Sequence, residues 1–172
     1  MEQTEFSGHR VLLIGAKTHN VQVLRSVLAM VGVGKVVRAE DSTAAIKLLS
    51  IEHFHAVFCE LEAEAQLRFA LAARRRDAVL NPMIPIFLLQ GQMRRRHLEK
   101  ARDTGATDLL TTPLSPRTLA SKLRAAMKDP RPFIVAQEFF GPDRRSKLRP
   151  AYFGKDRRKK APKKTRVDFI HI

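Results

Sequence analysis

Two phrases near the C-terminus hold the side chains best equipped for chemistry. Residues 139–145 read FFGPDRR, and thirteen positions later residues 152–158 read YFGKDRR. Each copy has two aromatics, a glycine, a spacer, an aspartate and two arginines. Arginine offers a planar fork of donors that can bond O6 and N7 of guanine or grip a phosphate, and its face stacks on a base. Phenylalanine and tyrosine offer stacking faces as well. Aspartate repels phosphate, but its oxygens accept hydrogen bonds from the N1 and N2 donors of guanine. Gly141 and Gly154 let the backbone turn tightly or approach a ligand. Together these are the residue types that a guanine nucleotide with several phosphates requires.

The surrounding chain is basic. Its 172 residues carry a formal charge of +15, which points to an anionic partner. Residues 129–172 hold 13 Lys and Arg against 5 Asp and Glu, net +8, whereas residues 1–128 are net +7. The run RRKKAPKK at 157–164 reads as a solvated segment that attracts RNA, anionic lipid or an acidic protein by counterion release. The single cysteine, Cys59, excludes an intrachain disulfide and suits a reducing cytoplasm. No apolar run approaches the roughly 18 residues of a membrane span, and the N-terminus lacks a signal pattern.

Something must position the tail, and residues 9–128 supply it. RVLLIG, KVVRAE, HAVFCEL, IPIFLLQ and TDLLTT are short apolar runs of strand length, several apolar on both faces. Between and after them lie five helical segments. Asp41, Ser42 and Ser115 are good N-caps, Pro116 suits a first helical position, and Gly105 suits a helix end. Five β–α units in succession predict an α/β fold. It is a doubly wound five-stranded parallel sheet in the flavodoxin-like order 2-1-3-4-5, with its crevice at the C-terminal ends of strands 1 and 3. Pro130 and Pro132 end the last helix. The expected organisation is a flexible N-terminus (1–8), a folded domain (9–128) and an arginine-rich ligand-binding tail (129–172), mostly disordered without ligand.

The phrases RAEDSTAAIKLL and GATDLLTTPLSPRTLASKLRAAM, in this order of elements, resemble the CheY-like receiver domain of response regulators. That resemblance implies two acids after strand 1 and an aspartate ending strand 3, which hold Mg²⁺ and accept a phosphoryl group. It further implies a Thr or Ser ending strand 4 and a Lys before the proline after strand 5. Here those positions hold Gly15 and Ala16, Glu60, Gln90 and Thr112. Three carboxylates neutralise a hard cation, and the cation with Lys stabilises phosphoryl charge. Without them, the expectation is a degenerate, non-catalytic pseudo-receiver that binds no Mg²⁺. Glu60, at the degenerate phospho-acceptor position, is either a residue of a silent site or a fixed charge imitating phosphorylation.

A receiver-like domain followed by an FGPDRR-type tail resembles the bacterial CheY-like cyclic di-GMP effectors. Carried over by position, Arg144, Arg145, Arg157 and Arg158 would contact the ligand, with Arg149 between the copies. Asp143 and Asp156 would meet guanine edges, and Phe140, Tyr152 and Phe153 would stack. The ligand implied is cyclic di-GMP, as one molecule or a stacked dimer. The implied partner is a protein such as the flagellar motor switch. Two alternatives stand beside this reading: a phosphorelay receiver using Glu60, and a basic-tailed nucleic-acid-binding protein. GAKT at 15–18 lacks phosphate-loop spacing, and the spacing of His53, His55 and Cys59 matches no common zinc site. The runs Arg74–Arg76 and Arg94–Arg96 read as solvated helix faces or ends, with an anion-binding surface as the lesser reading.

Overall fold

The computed structural model describes residues 5–91, 95–136, 139–143 and 165–167. The five apolar runs become β1 (Arg10–Ile14), β2 (Lys35–Ala39), β3 (Ala56–Cys59), β4 (Ile86–Gln90) and β5 (Asp108–Thr111). They pair in parallel in the order β2-β1-β3-β4-β5, which is the order expected from the sequence. Successive strand residues point to opposite faces, so one run feeds two cores. Leu12, Ile14, Val57, Cys59, Ile86 and Leu88 face one cluster, while Val11, Leu13, Phe58, Phe87 and Leu89 face the other.

Helices cover both faces. α1 (His19–Met30) and α5 (Pro116–Lys128) bring Leu24, Leu28, Leu119 and Leu123 to one side. α2 (Ser42–Ile51), α3 (Ala63–Ala73) and α4 (Arg95–Asp103) bring Leu49, Leu67, Ala70 and Ala101 to the other. The Asp41 carboxylate accepts from Ala44 N at 2.8 Å, and the Ser115 hydroxyl accepts from Thr118 N at 3.1 Å. Each satisfies a donor that the first helical turn leaves unpaired.

Of the N-terminal segment, residues 5–8 are described, and Glu5 and Phe6 pack against the domain. Phe6 is only 3% exposed, and its carbonyl accepts from Gly34 N at 3.0 Å. Glu5 receives two bonds from the Arg124 guanidinium and an ion pair from Lys128 at 2.9 Å. Those two α5 cations hold its carboxyl at about 2.

Part of the tail is described. It is not structureless: β6 (Phe133–Ala136), β7 (Phe139–Pro142) and β8 (Thr165–Val167) form an antiparallel sheet in the order β7-β6-β8. The β6–β7 hairpin docks on the turn between α4 and β5. Gly105 there has φ +77°, a conformation only glycine adopts freely. A Cβ on Gly105 would lie 2.4 Å from the Phe140 carbonyl oxygen, and one on Gly141 would lie 2.6 Å from the Gly105 Cα. Two glycines thus let backbone meet backbone, a contact that hydrophobic periodicity cannot register. Residues 137–138, 144–164 and 168–172 lie outside the described residues.

Two outcomes follow. Gly141→Ala should lower stability by about 1–3 kcal/mol, the usual result of overpacking. Amide exchange should then accelerate at Ile134 and Phe140 but not in β1–β5; unchanged exchange would mean that the hairpin is held elsewhere. Glu5 has a folded pKa below its unfolded value, so its contribution is present above about 4.5 and is lost as pH falls toward about 2. The Phe6 ring signals should therefore shift toward free-peptide values in that window, with Glu5→Gln showing the same shift at neutral pH.

Candidate functional site

The crevice of the sheet is built by the C-terminal ends of β1, β3, β4 and β5. Backbone bonds fix each critical position there. Glu60 N donates to the Ile14 carbonyl at 2.8 Å, Gly15 N to Ala39 at 3.0 Å, and Thr112 N to Gln90 at 2.9 Å. The structure therefore brings Gly15, Ala16, Glu60, Gln90 and Thr112 to one rim, as the sequence pattern anticipates. A cavity of about 330 Å³ lies over it, lined by Ala16, Thr18, Glu60, Glu62, Gln90 and Gly91.

The rim combines the Glu60 and Glu62 carboxylates with a pair of tied amides and one paired guanidinium. Gln66, buried in α3, donates to the carbonyls of Cys59 at 3.0 Å and Leu89 at 2.6 Å. Its oxygen accepts from the Gln90 side chain at 2.9 Å. The two glutamines thus cross-tie the ends of β3 and β4. Arg38 donates to the Gly15 carbonyl at 3.0 Å and to Glu40 at 2.7 Å, setting positive charge on the backbone where the strand 1 acids would begin. A Cβ at Gly15 would lie 2.7 Å from the Glu60 carbonyl oxygen, so a carboxylate-bearing residue there would displace β3. The Thr18 hydroxyl lies 3.4 Å from Glu60 Oε2.

A divalent cation of the receiver type needs several oxygen ligands. Positions 15 and 16 provide no carboxylate, so the acidic pair of the receiver pattern is missing and Glu60 and Glu62 are the carboxylates that line the cavity. Among the described residues no three His, Cys, Asp or Glu side chains are grouped to hold a metal. His55 instead accepts from Arg10 N through Nδ1 at 3.0 Å. Cys59 is buried, which pushes its thiol up to about 12.

The second part of the site is the tail anchor. Arg74 was expected on a solvated helix end, but it is 5% exposed. It donates to the carbonyls of Gly105 at 2.9 Å, Pro82 at 2.7 Å and Ile84 at 2.8 Å. The Phe133 ring of β6 covers its guanidinium, 5.2 Å from the ring centroid. Burial pushes the Arg74 pKa down to about 9, so the group is still charged at neutral pH. Arg76 lies 5.1 Å from the Phe140 centroid, and Phe133 and Phe140 are 5.1 Å apart.

Of the sequence-selected ligand residues, Phe140 and Asp143 are described. Phe140 has one face in the hairpin anchor. Asp143 N donates to the Pro132 carbonyl at 2.7 Å, closing the hairpin base. Arg144, Arg145, Arg149, Tyr152, Phe153, Asp156, Arg157 and Arg158 lie outside the described residues, as do the side chains of Arg94–Arg96. Sequence reasoning missed Gln66, Arg38 and Arg74. A signal existed for two of them: Gln66 and Arg74 fall on the helical stripe shared with Phe69, Ala70 and Ala73.

No protein-family model matches the chain, and no curated protein matches it. Solved structures do match. The receiver domain of sensor histidine kinase PA1611 from Pseudomonas aeruginosa PAO1 is 19% identical, with TM-score 0.61, covering 70% of this chain and 98% of its own. That domain was crystallised with a magnesium ion coordinated in its active-site cleft. A putative response regulator from Chloroflexus aurantiacus J-10-fl is 21% identical, with TM-score 0.63 and the same coverages. The chemotaxis response regulator CheY4 of Vibrio cholerae is 21% identical, with TM-score 0.57, covering 67% of this chain and 96% of its own. At these identities the likeness is one of fold: the chain has the fold of CheY-like receiver domains.

Replacing Gln66 by Leu should leave the Cys59 and Leu89 carbonyls without their donor in a buried setting. The expected loss is about 1–3 kcal/mol in a urea denaturation series, and wild-type stability would mean that the amide tie carries no weight.

Proposed function

We propose that this protein is a non-catalytic signalling module. Its receiver-fold domain carries a tail that recognises cyclic di-GMP through the Asp-Arg-Arg phrases and relays occupancy to a protein partner, the flagellar motor switch being one example. The observation that carries this reading is the docked hairpin. Its strand β7 is the FFGP half of the first phrase, held at Arg74 and Arg76. The domain therefore fixes where the following Asp-Arg-Arg begins, and a fixed start lowers the ordering cost of a binding segment. The +15 charge supports an anionic ligand, and the lack of a carboxylate at Gly15 and Ala16 supports a domain that works without Mg²⁺.

The phosphorelay reading is favoured by two observations. Glu60 lines the crevice cavity beside Thr18, and the similar solved structures include receivers and response regulators. Against it stand the missing carboxylates at Gly15 and Ala16.

Calorimetry on the full chain separates the readings. Cyclic di-GMP should give saturable heat that Arg144→Ala or Arg145→Ala abolishes without changing thermal unfolding. Absence of heat with the wild-type chain would overturn the nucleotide reading. Incubation with acetyl phosphate and Mg²⁺ should leave the intact mass unchanged, and an adduct lost in Glu60→Gln would establish the phosphorelay instead. Binding of any polyanion with equal affinity and a steep salt dependence would indicate a nucleic-acid-type tail.

A further inference from the structure

A cavity of about 340 Å³ lies outside the crevice, between α4, the start of β5 and the linker that leaves α5. Its size is at the lower end of the roughly 300–1,000 Å³ typical of small-molecule sites. Leu98 and Leu109 give it apolar walls, and Arg102 and Arg131 stand at its edges. Both arginines are exposed. One carboxylate also lines it, Asp108, and Lys122 pairs with that group at 2.5 Å, so the lining carries two guanidinium groups against one carboxylate. Thr107 turns its hydroxyl oxygen to the sheet, accepting from Ile86 N at 2.9 Å. Apolar walls with two guanidinium groups at the rim suit a flat base bearing phosphate, because arginine both stacks and bonds in a fork.

The hairpin connects this cavity to the Asp-Arg-Arg phrase. Phe133 pairs with Pro142 in the β6–β7 register, and Asp143 N then donates to the Pro132 carbonyl at 2.7 Å. The chain that leaves at Arg131 therefore returns at Asp143, one residue away across the hairpin base. The first Asp-Arg-Arg phrase thus begins beside Pro132, the residue that follows the cavity-lining Arg131.

We infer that this cavity between α4, β5 and Arg131 is the seat of one guanine nucleotide unit of the ligand. Arg102 and Arg131 hold its phosphate, and Asp143 stands at the mouth for the guanine edge. The inference rests on the cyclic di-GMP reading and adds folded-domain residues to the site. It also makes the two phrases unequal, because the hairpin fixes where the first one begins.

The test is calorimetric titration of full-length protein with cyclic di-GMP at fixed salt. It compares the wild type with Arg102→Ala, Arg131→Ala and the double variant. Arg25→Ala, an exposed α1 substitution, is the charge-matched control. Arg102→Ala and Arg131→Ala should each weaken binding about tenfold or more, as loss of a charge-assisted hydrogen bond does. Arg25→Ala should change it less than about twofold, and thermal unfolding of all variants should stay at the wild-type midpoint. Wild-type binding with Arg102 and Arg131 variants unaffected, or weakened no more than Arg25→Ala, overturns the cavity and leaves the tail reading standing. No binding by the wild type overturns both.

Discussion

A guanidinium buried without a carboxylate is the constraint on which the arrangement of this protein turns. Taking an unpaired charge from water costs several kcal/mol unless polar groups replace the hydration shell. Arg74 meets much of that demand through Nε and Nη1, which donate to the carbonyls of Gly105 before β5 and of Pro82 and Ile84 before β4, while its buried Nη2 has no hydrogen-bond partner among the described residues. The apolar lid is Phe133, which belongs to the tail. One side chain at the end of α3 thus requires the β4 approach, the α4–β5 turn and the C-terminal hairpin to be in place together. The Gly105–Gly141 contact is the steric counterpart of that demand, since any Cβ would part the two backbones.

The crevice shows the opposite economy of charge. A receiver-type phosphoryl site concentrates carboxylates and relies on a cation to hold them together. Here the same backbone positions are stabilised by neutral means. Gln66 and Gln90 satisfy the strand-end carbonyls, and Arg38 with Glu40 forms a self-contained pair on Gly15. The fold persists because its two cores lie below the crevice, in alternating residues such as Leu12 and Leu13, and owe nothing to the rim.

The sheet was legible in the sequence because its strands are apolar runs separated by capped helices, features set by local spacing. RVLLI and AVFC announce buried strands, and Asp41, Ser115 and Pro116 announce helix starts. The altered rim was legible too, since strand ends fix which residue occupies each position. The tail anchor was not. FFGP reads equally well as a ligand phrase or a strand, and β6–β7 is stable through long-range partners at Arg74 and Gly105. The packing of Glu5 and Phe6 was illegible for the same reason, because Phe6 bonds to Gly34 just before β2 and Glu5 is held by α5. Arg74 was misplaced because arginine runs are ordinarily solvated, although its position one turn beyond Ala70 was on the page.

The central claim is that recognition has moved from the crevice to the docked tail and the domain face beside it. An amide NMR titration of the full chain with cyclic di-GMP, carried out with and without Mg²⁺, tests that most directly. The account predicts shifts at Arg131, Phe133, Asp143, Arg144, Arg145 and Leu109, unchanged by Mg²⁺, with Gly15, Glu60 and Gln90 left in place. Shifts confined to Gly15, Glu60 and Gln90, or appearing there only when Mg²⁺ is added, would contradict it.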